Sequence, residues 1–181
     1  KLPTAARLPV FVDEAFYWQE GRHPAAAYSD LPGLTAWLTR LGVALGENTF
    51  ALRLPFLLIG AGVPLLMVHV ASREYGAKTG WQAGLLTLLL PLAGSLGLMA
   101  LPDAAMALAT LLCLDAGARL LRQVSAEAAL ELAAGLALGA LCHYRFIAVV
   151  MVGFIALLLL EDGRRALRDI RVMIAIAFGA S

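Results

Sequence analysis

Carboxylate side chains that could act as bases occur at two places in this chain, each beside an apolar segment. Asp13 and Glu14 are adjacent in the stretch FVDEAFYWQE, and Asp103 lies in the stretch LPDA. A carboxylate at an apolar boundary is partly desolvated, which raises its basicity towards that of a useful general base. Carboxylates also bind hard divalent cations, so Asp13 and Asp103 are candidate metal ligands.

A helix through the first of these stretches would place Asp13 and Tyr17 on one face, one turn apart. A structural interpretation of the carboxylates is equally open at this point. Asp13 would then cap a helix over residues 15–21, and Asp103 would cap the helix that follows Pro102.

A third polar group, His143, Tyr144 and Arg145 in the stretch CHYRF, lies between two apolar segments. The planar fork of an arginine can bind two phosphate oxygens, which makes this group a candidate for substrate binding. Interfacial anchoring by the tyrosine and a snorkelling arginine is the alternative. Asp115, within an apolar segment, could pair with a residue outside this chain.

The composition indicates that these groups belong to an integral membrane protein. Hydrophobic residues make up 61% of the 181 positions and charged residues 15%, and the mean hydropathy is +0.80. One soluble core of this size cannot hide so much apolar surface. The net charge of +1 says nothing about nucleic acid, but the sequence has no basic cluster with interleaved aromatics, so no nucleic-acid partner is expected.

The pattern predicts an all-α polytopic bundle with helices lying along the membrane interface. Residues 1–50 are predicted to form an external loop, in which Leu34, Trp37 and Leu41 fall at helical spacing. That helix suits the membrane interface, or alternatively packs its apolar face on the protein. Residues 51–181 are predicted to contain about five spans and the start of a sixth: 54–72, 80–101 with a break at Pro91, 104–121, 128–143, 146–160 and 170–181.

The arginines of the short loops orient these spans. Arg73, Arg119 and Arg164 lie in loops that share one side if the spans alternate. The positive-inside rule makes that side cytoplasmic. Asp13, Asp103 and Arg145 would then share the external face of the membrane.

The order of short motifs resembles that of glycosyltransferase family 39, in the GT-C superfamily. The motifs are VDEAFYW, YSDLPGLTAWL, ALRLPFLLIGAG, REYGAKTGWQAGLL, LPDAAMAL and GLALGALCHYRF. This family includes dolichyl-phosphate-mannose–protein mannosyltransferases and bacterial aminoarabinose transferases. The resemblance implies that a first transmembrane helix, the later spans and a soluble C-terminal part lie outside this chain.

The resemblance also implies residue roles. Asp13 matches the aspartate taken as catalytic base, Glu14 matches its acidic neighbour, and Asp103 matches a second acidic motif that arranges the site or a divalent ion. Arg53 matches the arginine of the family's RLP motif and is predicted, with Tyr17, to bind substrate. Arg145 would face the lipid-linked phosphate. The chain departs from many relatives at SDLPG, where Asp30 and Leu31 replace a histidine or lysine that precedes proline.

The expected activity is transfer of a sugar from a polyprenyl-phosphate donor to a lipid or protein acceptor at the external face of the plasma membrane. Asp13 would deprotonate the acceptor hydroxyl, and a single displacement would invert the anomeric centre. A divalent cation is the only cofactor expected, and an organic cofactor is not expected. This fragment alone is expected to be inactive. The alternative is a non-catalytic membrane module, such as part of a transporter or scaffold, whose acidic residues cap helices.

Overall fold

A computed structural model describes residues 1–29 and 31–179, and this part of the chain is all-α, as the composition predicts. It contains eleven helices and one isolated β-bridge between Ala27 and Pro32. The helices divide between two compact units, residues 1–108 and residues 109–181, which are described separately below.

The first unit contains six complete helices and the start of a seventh. They are α1 Leu2–Arg7, α2 Val12–Gly21, α3 Leu34–Leu45, α4 Thr49–Tyr75, α5 Ala77–Leu89, α6 Pro91–Ser95 and the first residues of α7 Asp103–Arg122. The N-terminal turn of α4 is capped by Asn48, whose Oδ1 accepts from the Ala51 N–H at 2.9 Å.

Glycines allow helix backbones to approach closely around α4. A Cβ at Gly42 of α3 would lie 2.6 Å from the Ala51 carbonyl oxygen, and one at Gly21 of α2 would lie 2.7 Å from that of Ala36. Such distances are tolerated only by glycine, as at the close crossings of membrane helices. Helix α2 therefore packs closely on α3, and α3 on α4. These three helices carry the candidate site.

The predicted interfacial helix forms as α3, and its apolar face is not covered by the rest of the unit. Trp37, Leu41 and Leu45 are 38%, 53% and 61% exposed, whereas Thr35 and Thr39 on the opposite face are buried. Thr35, Thr39 and Leu38 therefore make the protein contacts, Leu38 against the buried core of Leu52, Phe56 and Ala100, and Leu41 and Leu45 face outwards. This arrangement favours a helix in the membrane interface over one that packs its apolar face on the protein.

The predicted break at Pro91 is present. Helix α5 ends at Leu89, Leu90 is extended, and α6 begins at Pro91. Proline disfavours the helical conformation of the residue before it, which favours a break here, whereas α4 continues through Pro55 and Pro64.

The second unit contains the rest of α7, α8 Ala126–Cys142, α9 Phe146–Leu159, α10 Glu161–Leu167 and α11 Ile170–Gly179. Helix α11 packs against α8, where a Cβ at Gly179 would lie 2.5 Å from the Cβ of Leu136. Asp115, for which a partner outside this chain was one possibility, has a partner within the second unit. Asp115 is buried, and its side chain forms a hydrogen bond with that of Glu131 in α8.

Two of the described helices, α4 and α7, are long and apolar enough to cross a membrane. The pair α9 and α10 meets the same criterion as a third span if it is counted together across its bend of 111°. The chain is thus a membrane-spanning helical protein. The division into an external loop over residues 1–50 and about five spans stays a prediction.

Candidate active site

The carboxylate of Glu14 lies at the centre of a buried polar junction in the first unit. Glu14 occupies the first turn of α2 and is completely buried. Its Oε2 accepts from the Phe11 N–H at 2.9 Å, and its Oε1 accepts from the Ala100 N–H at 2.7 Å. The first contact satisfies a free N–H at the helix start, as the glutamate of a capping box does. The second joins α2 to the segment that leads into α7.

The guanidinium of Arg53 completes the junction and is also completely buried. Its Nε and Nη2 donate to the two Glu14 oxygens at 2.7 and 2.5 Å. The remaining three N–H groups donate to main-chain carbonyls at 2.7 to 3.0 Å, those of Ala5, Leu8 and Pro9. A guanidinium has five N–H groups, and all five are used here.

This geometry makes Arg53 a positioning residue, because no N–H remains for a substrate phosphate in this conformation. Its contacts hold α1 and the link to α2 against α4. The substrate-binding role predicted for Arg53 is therefore not what its contacts favour.

Glu14 is held ionised by the same contacts. Burial raises the pKa of this carboxyl, but the hydrogen bonds from Arg53, Phe11 and Ala100, together with the Arg53 charge, outweigh burial and lower the pKa below its ordinary value. A carboxylate so strongly stabilised is a poor proton acceptor. Its contacts therefore suit the positioning of neighbouring residues better than proton transfer.

Asp13 differs from its neighbour Glu14 in its exposure to solvent. It is the second residue of α2 and is exposed. The helix begins at Val12 with Phe11 at the N-cap position, so Asp13 is not the capping residue that the structural alternative required. Successive helical residues point about 100° apart, which is why one carboxylate is buried and the other is presented outwards. Tyr17, one turn later, is half-buried.

Asp103 is the first residue of α7 and is also exposed. It follows Ala100 by three residues, so its Cα lies within about 10 Å of the Ala100 Cα. The hydrogen bond from the Ala100 N–H to Glu14 therefore ties the segment carrying Asp103 to the helix carrying Asp13.

In the second unit, the CHYRF residues form a compact group at the end of α8. His143 terminates that helix and is buried, and its Nδ1 accepts from the Arg145 N–H at 3.1 Å. The rings of His143 and Tyr144 lie 4.3 Å apart. Tyr144 and Arg145 are exposed, so histidine acts as the support and the other two side chains are the ones available to a ligand.

The amino-acid sequence matches a known family. The family profile of dolichyl-phosphate-mannose–protein mannosyltransferases matches residues 30–180. The chain belongs to this family. It is also 30% identical, over 169 residues, to lipid A galacturonosyltransferase RgtD of Rhizobium johnstonii. That match covers 92% of this chain and 36% of the relative, so the chain spans about a third of the relative's length. No solved structure matches the chain.

A divalent cation, which the resemblance to the family implied, finds no assembled site in this part of the chain. Across residues 1–29 and 31–179, no three His, Cys, Asp or Glu side chains are grouped so as to hold a metal ion. The exposed Asp13 and Asp103 alone do not make a coordination set. In the stretch SDLPG, where the chain differs from many relatives, Leu31 is buried and Asp30 lies outside the described residues.

The sequence did not reveal the carbonyls of Ala5, Leu8 and Pro9 or the N–H of Ala100 as parts of this junction. One signal was present: Arg53 lies in an apolar stretch at the start of the longest helix. A charge in such a position requires a partner, and the partner's identity depends on the fold.

Proposed function

We propose that the full-length protein is a membrane glycosyltransferase that moves a sugar from a polyprenyl-phosphate donor to an acceptor hydroxyl at the external face of the membrane. Family membership supports the glycosyl transfer. The name of the curated relative, a lipid A galacturonosyltransferase, supports a glycolipid acceptor and an acidic sugar for this chain as well.

The observation that carries the proposal is the division of labour between two adjacent carboxylates. Glu14 is locked to Arg53 and buried, whereas Asp13 is exposed on the next position of the same helix. A general base must reach the proton that it removes, and Asp13 satisfies this requirement. The buried junction fixes the orientation of the first turn of α2, and so of Asp13.

In the proposed reaction, Asp13 accepts the proton of the acceptor hydroxyl as its oxygen attacks the anomeric carbon. The bond from that carbon to the phosphate oxygen breaks with its electron pair, so polyprenyl phosphate leaves. Arg145 would stabilise the charge on the departing phosphate, with Tyr144 beside it. A single displacement inverts the anomeric centre. Asp103 would help to arrange the site.

The test is sugar transfer by full-length protein in membranes, supplied with a panel of polyprenyl-phosphate sugars. We expect Asp13→Asn to reduce transfer by at least about a hundredfold, the contribution typical of a general base. Its insertion and unfolding should match those of the wild type, because Asp13 is exposed. Gln19→Asn, an exposed change on the same helix, is the matched control. Transfer by Asp13→Asn at the wild-type rate would refute the role of Asp13 and favour a non-catalytic module.

A further inference from the structure

A cavity of about 790 Å³ lies within the first unit, where α2, the C-terminal half of α3 and the start of α4 meet. It was not predicted from the sequence, and none of the proposed catalytic residues borders it. Its walls combine apolar side chains with polar ones, among them Trp18, Arg22, Arg40, Glu47 and Leu52.

The charge of the cavity favours an anion. Two arginines border it against one carboxylate, that of Glu47. The Arg22 guanidinium lies 4.2 Å from the ring centroid of Trp18, which orients it by a cation–π contact. Arg40 donates from Nη1 to the Gly21 carbonyl at 3.4 Å, which keeps its side chain beside the same wall. Two arginines, one directly after α2 and one on α3, can bind a phosphate from two sides.

The cavity is separate from the proposed reaction centre. On α2, its lining residues Ala15, Trp18 and Arg22 fall on one face. With about 100° per residue, Asp13 falls on the opposite face. A ligand in the cavity is therefore separated from Asp13 by the width of the helix.

The neighbourhood of the cavity favours a lipid as the source of the anion. Arg40, Val43 and Ala44 of α3 border the cavity. The face of α3 directly beside them is the exposed apolar one, with Trp37, Leu41 and Leu45. A phosphate held by Arg22 and Arg40 would therefore have apolar surface next to it for acyl chains, and a free phosphate would leave that surface unused.

We propose that this cavity binds the phosphate headgroup of a membrane lipid, at a site distinct from the one where sugar transfer takes place. The two arginines hold the phosphate, and the acyl chains lie along the apolar face of α3. Such a lipid would fix α2 and α3 against the start of α4. The inference does not depend on the proposed transfer reaction.

The experiment measures lipid retention by purified full-length protein in detergent, using native mass spectrometry. The probes are phosphatidic acid, whose headgroup is a bare phosphate, phosphatidylcholine with identical acyl chains, and inorganic phosphate. We expect the wild type to bind phosphatidic acid at least about tenfold more tightly than phosphatidylcholine, the ratio that one charge-assisted hydrogen bond supplies.

The variants locate the site. Arg22→Gln and Arg40→Gln should each remove most of the preference for phosphatidic acid, whereas Arg40→Lys should retain part of it. Arg7→Gln, which removes an exposed arginine of the same unit outside the cavity, should keep the full preference. Asp13→Asn should also keep it, so that failure of the transfer reaction and failure of this site are distinguishable.

Three results would overturn the proposal. The first is equal retention of both lipids by the wild type, and the second is an unchanged preference in both glutamine variants. The third is displacement of phosphatidic acid by an equal concentration of inorganic phosphate, which would make free phosphate the ligand. Because both arginines are exposed, the variants are expected to fold, and their unfolding midpoints should match that of the Arg7→Gln control.

Discussion

Removal of the Arg53 guanidinium should release the N-terminal segment from the rest of the first unit. In Arg53→Met, the hydrocarbon stem is kept, but Glu14 loses its charge partner in a site with no exposure to solvent. Breaking a buried ion pair by deleting one partner costs about 3–5 kcal/mol, because the remaining charge is left uncompensated. Three main-chain carbonyls lose their donor at the same time.

Limited proteolysis can measure this release directly. Arg7 is exposed in α1, and the carbonyl of the next residue, Leu8, is one of those held by Arg53. The bond after Arg7 is a trypsin site that must leave its helical conformation to be cut. If opening of this segment precedes cleavage, the loss of about 3–5 kcal/mol should raise the cleavage rate by roughly a hundred- to several-thousand-fold.

The double variant Glu14→Leu with Arg53→Met separates the ion pair from packing. Replacing both partners with apolar side chains removes the buried charge and is often nearly neutral. We therefore expect cleavage after Arg7 to slow again, to well below the rate of the single variant. Lys78→Met, which removes an exposed positive charge of the same unit, should leave cleavage after Arg7 unchanged. Equal cleavage rates for Arg53→Met and the wild type would show that the junction does not hold this segment.

Two further predictions concern pH and helix packing. The folded-state pKa of Glu14 lies below its ordinary value of 4.5, so its contribution to stability is present above pH 4.5 and is lost as the pH falls through the folded-state pKa. The unfolding free energy of full-length protein in detergent should therefore decrease below that pH, and Glu14→Gln should weaken this dependence; an unchanged acid limb in the variant would contradict the assignment. Gly21→Ala should cost about 1–3 kcal/mol, because its Cβ would meet the Ala36 carbonyl oxygen at 2.7 Å. Gly117→Ala, where a Cβ has nothing within 4 Å, is the control for thermal unfolding, and equal losses in both variants would argue against close packing of α2 on α3.

What the sequence could predict was local. The break before Pro91 is favoured by the extended conformation that proline prefers in its neighbour, and the helical spacing of Trp37 and Leu41 predicts a helix. The sequence also placed Asp13 and Glu14 on one helix. It could not tell which carboxylate is buried, because the deciding partners, Arg53 and the Ala100 N–H, lie 39 and 86 residues away from Glu14. Only the fold brings such distant groups together.

The same long-range contacts give the acidic pair a physical meaning that neither residue has alone. A base on the exposed first turn of a helix would be poorly positioned, since helix ends fray and lose their hydrogen bonds first. Glu14 opposes this loss by accepting from the Phe11 N–H while it is itself held by Arg53. Its contact with Ala100 extends the constraint to the segment that carries Asp103. A buried carboxylate directly after an exposed one is thus a way to keep a reactive side chain accessible and its backbone fixed, and the proposed catalytic role of Asp13 depends on both.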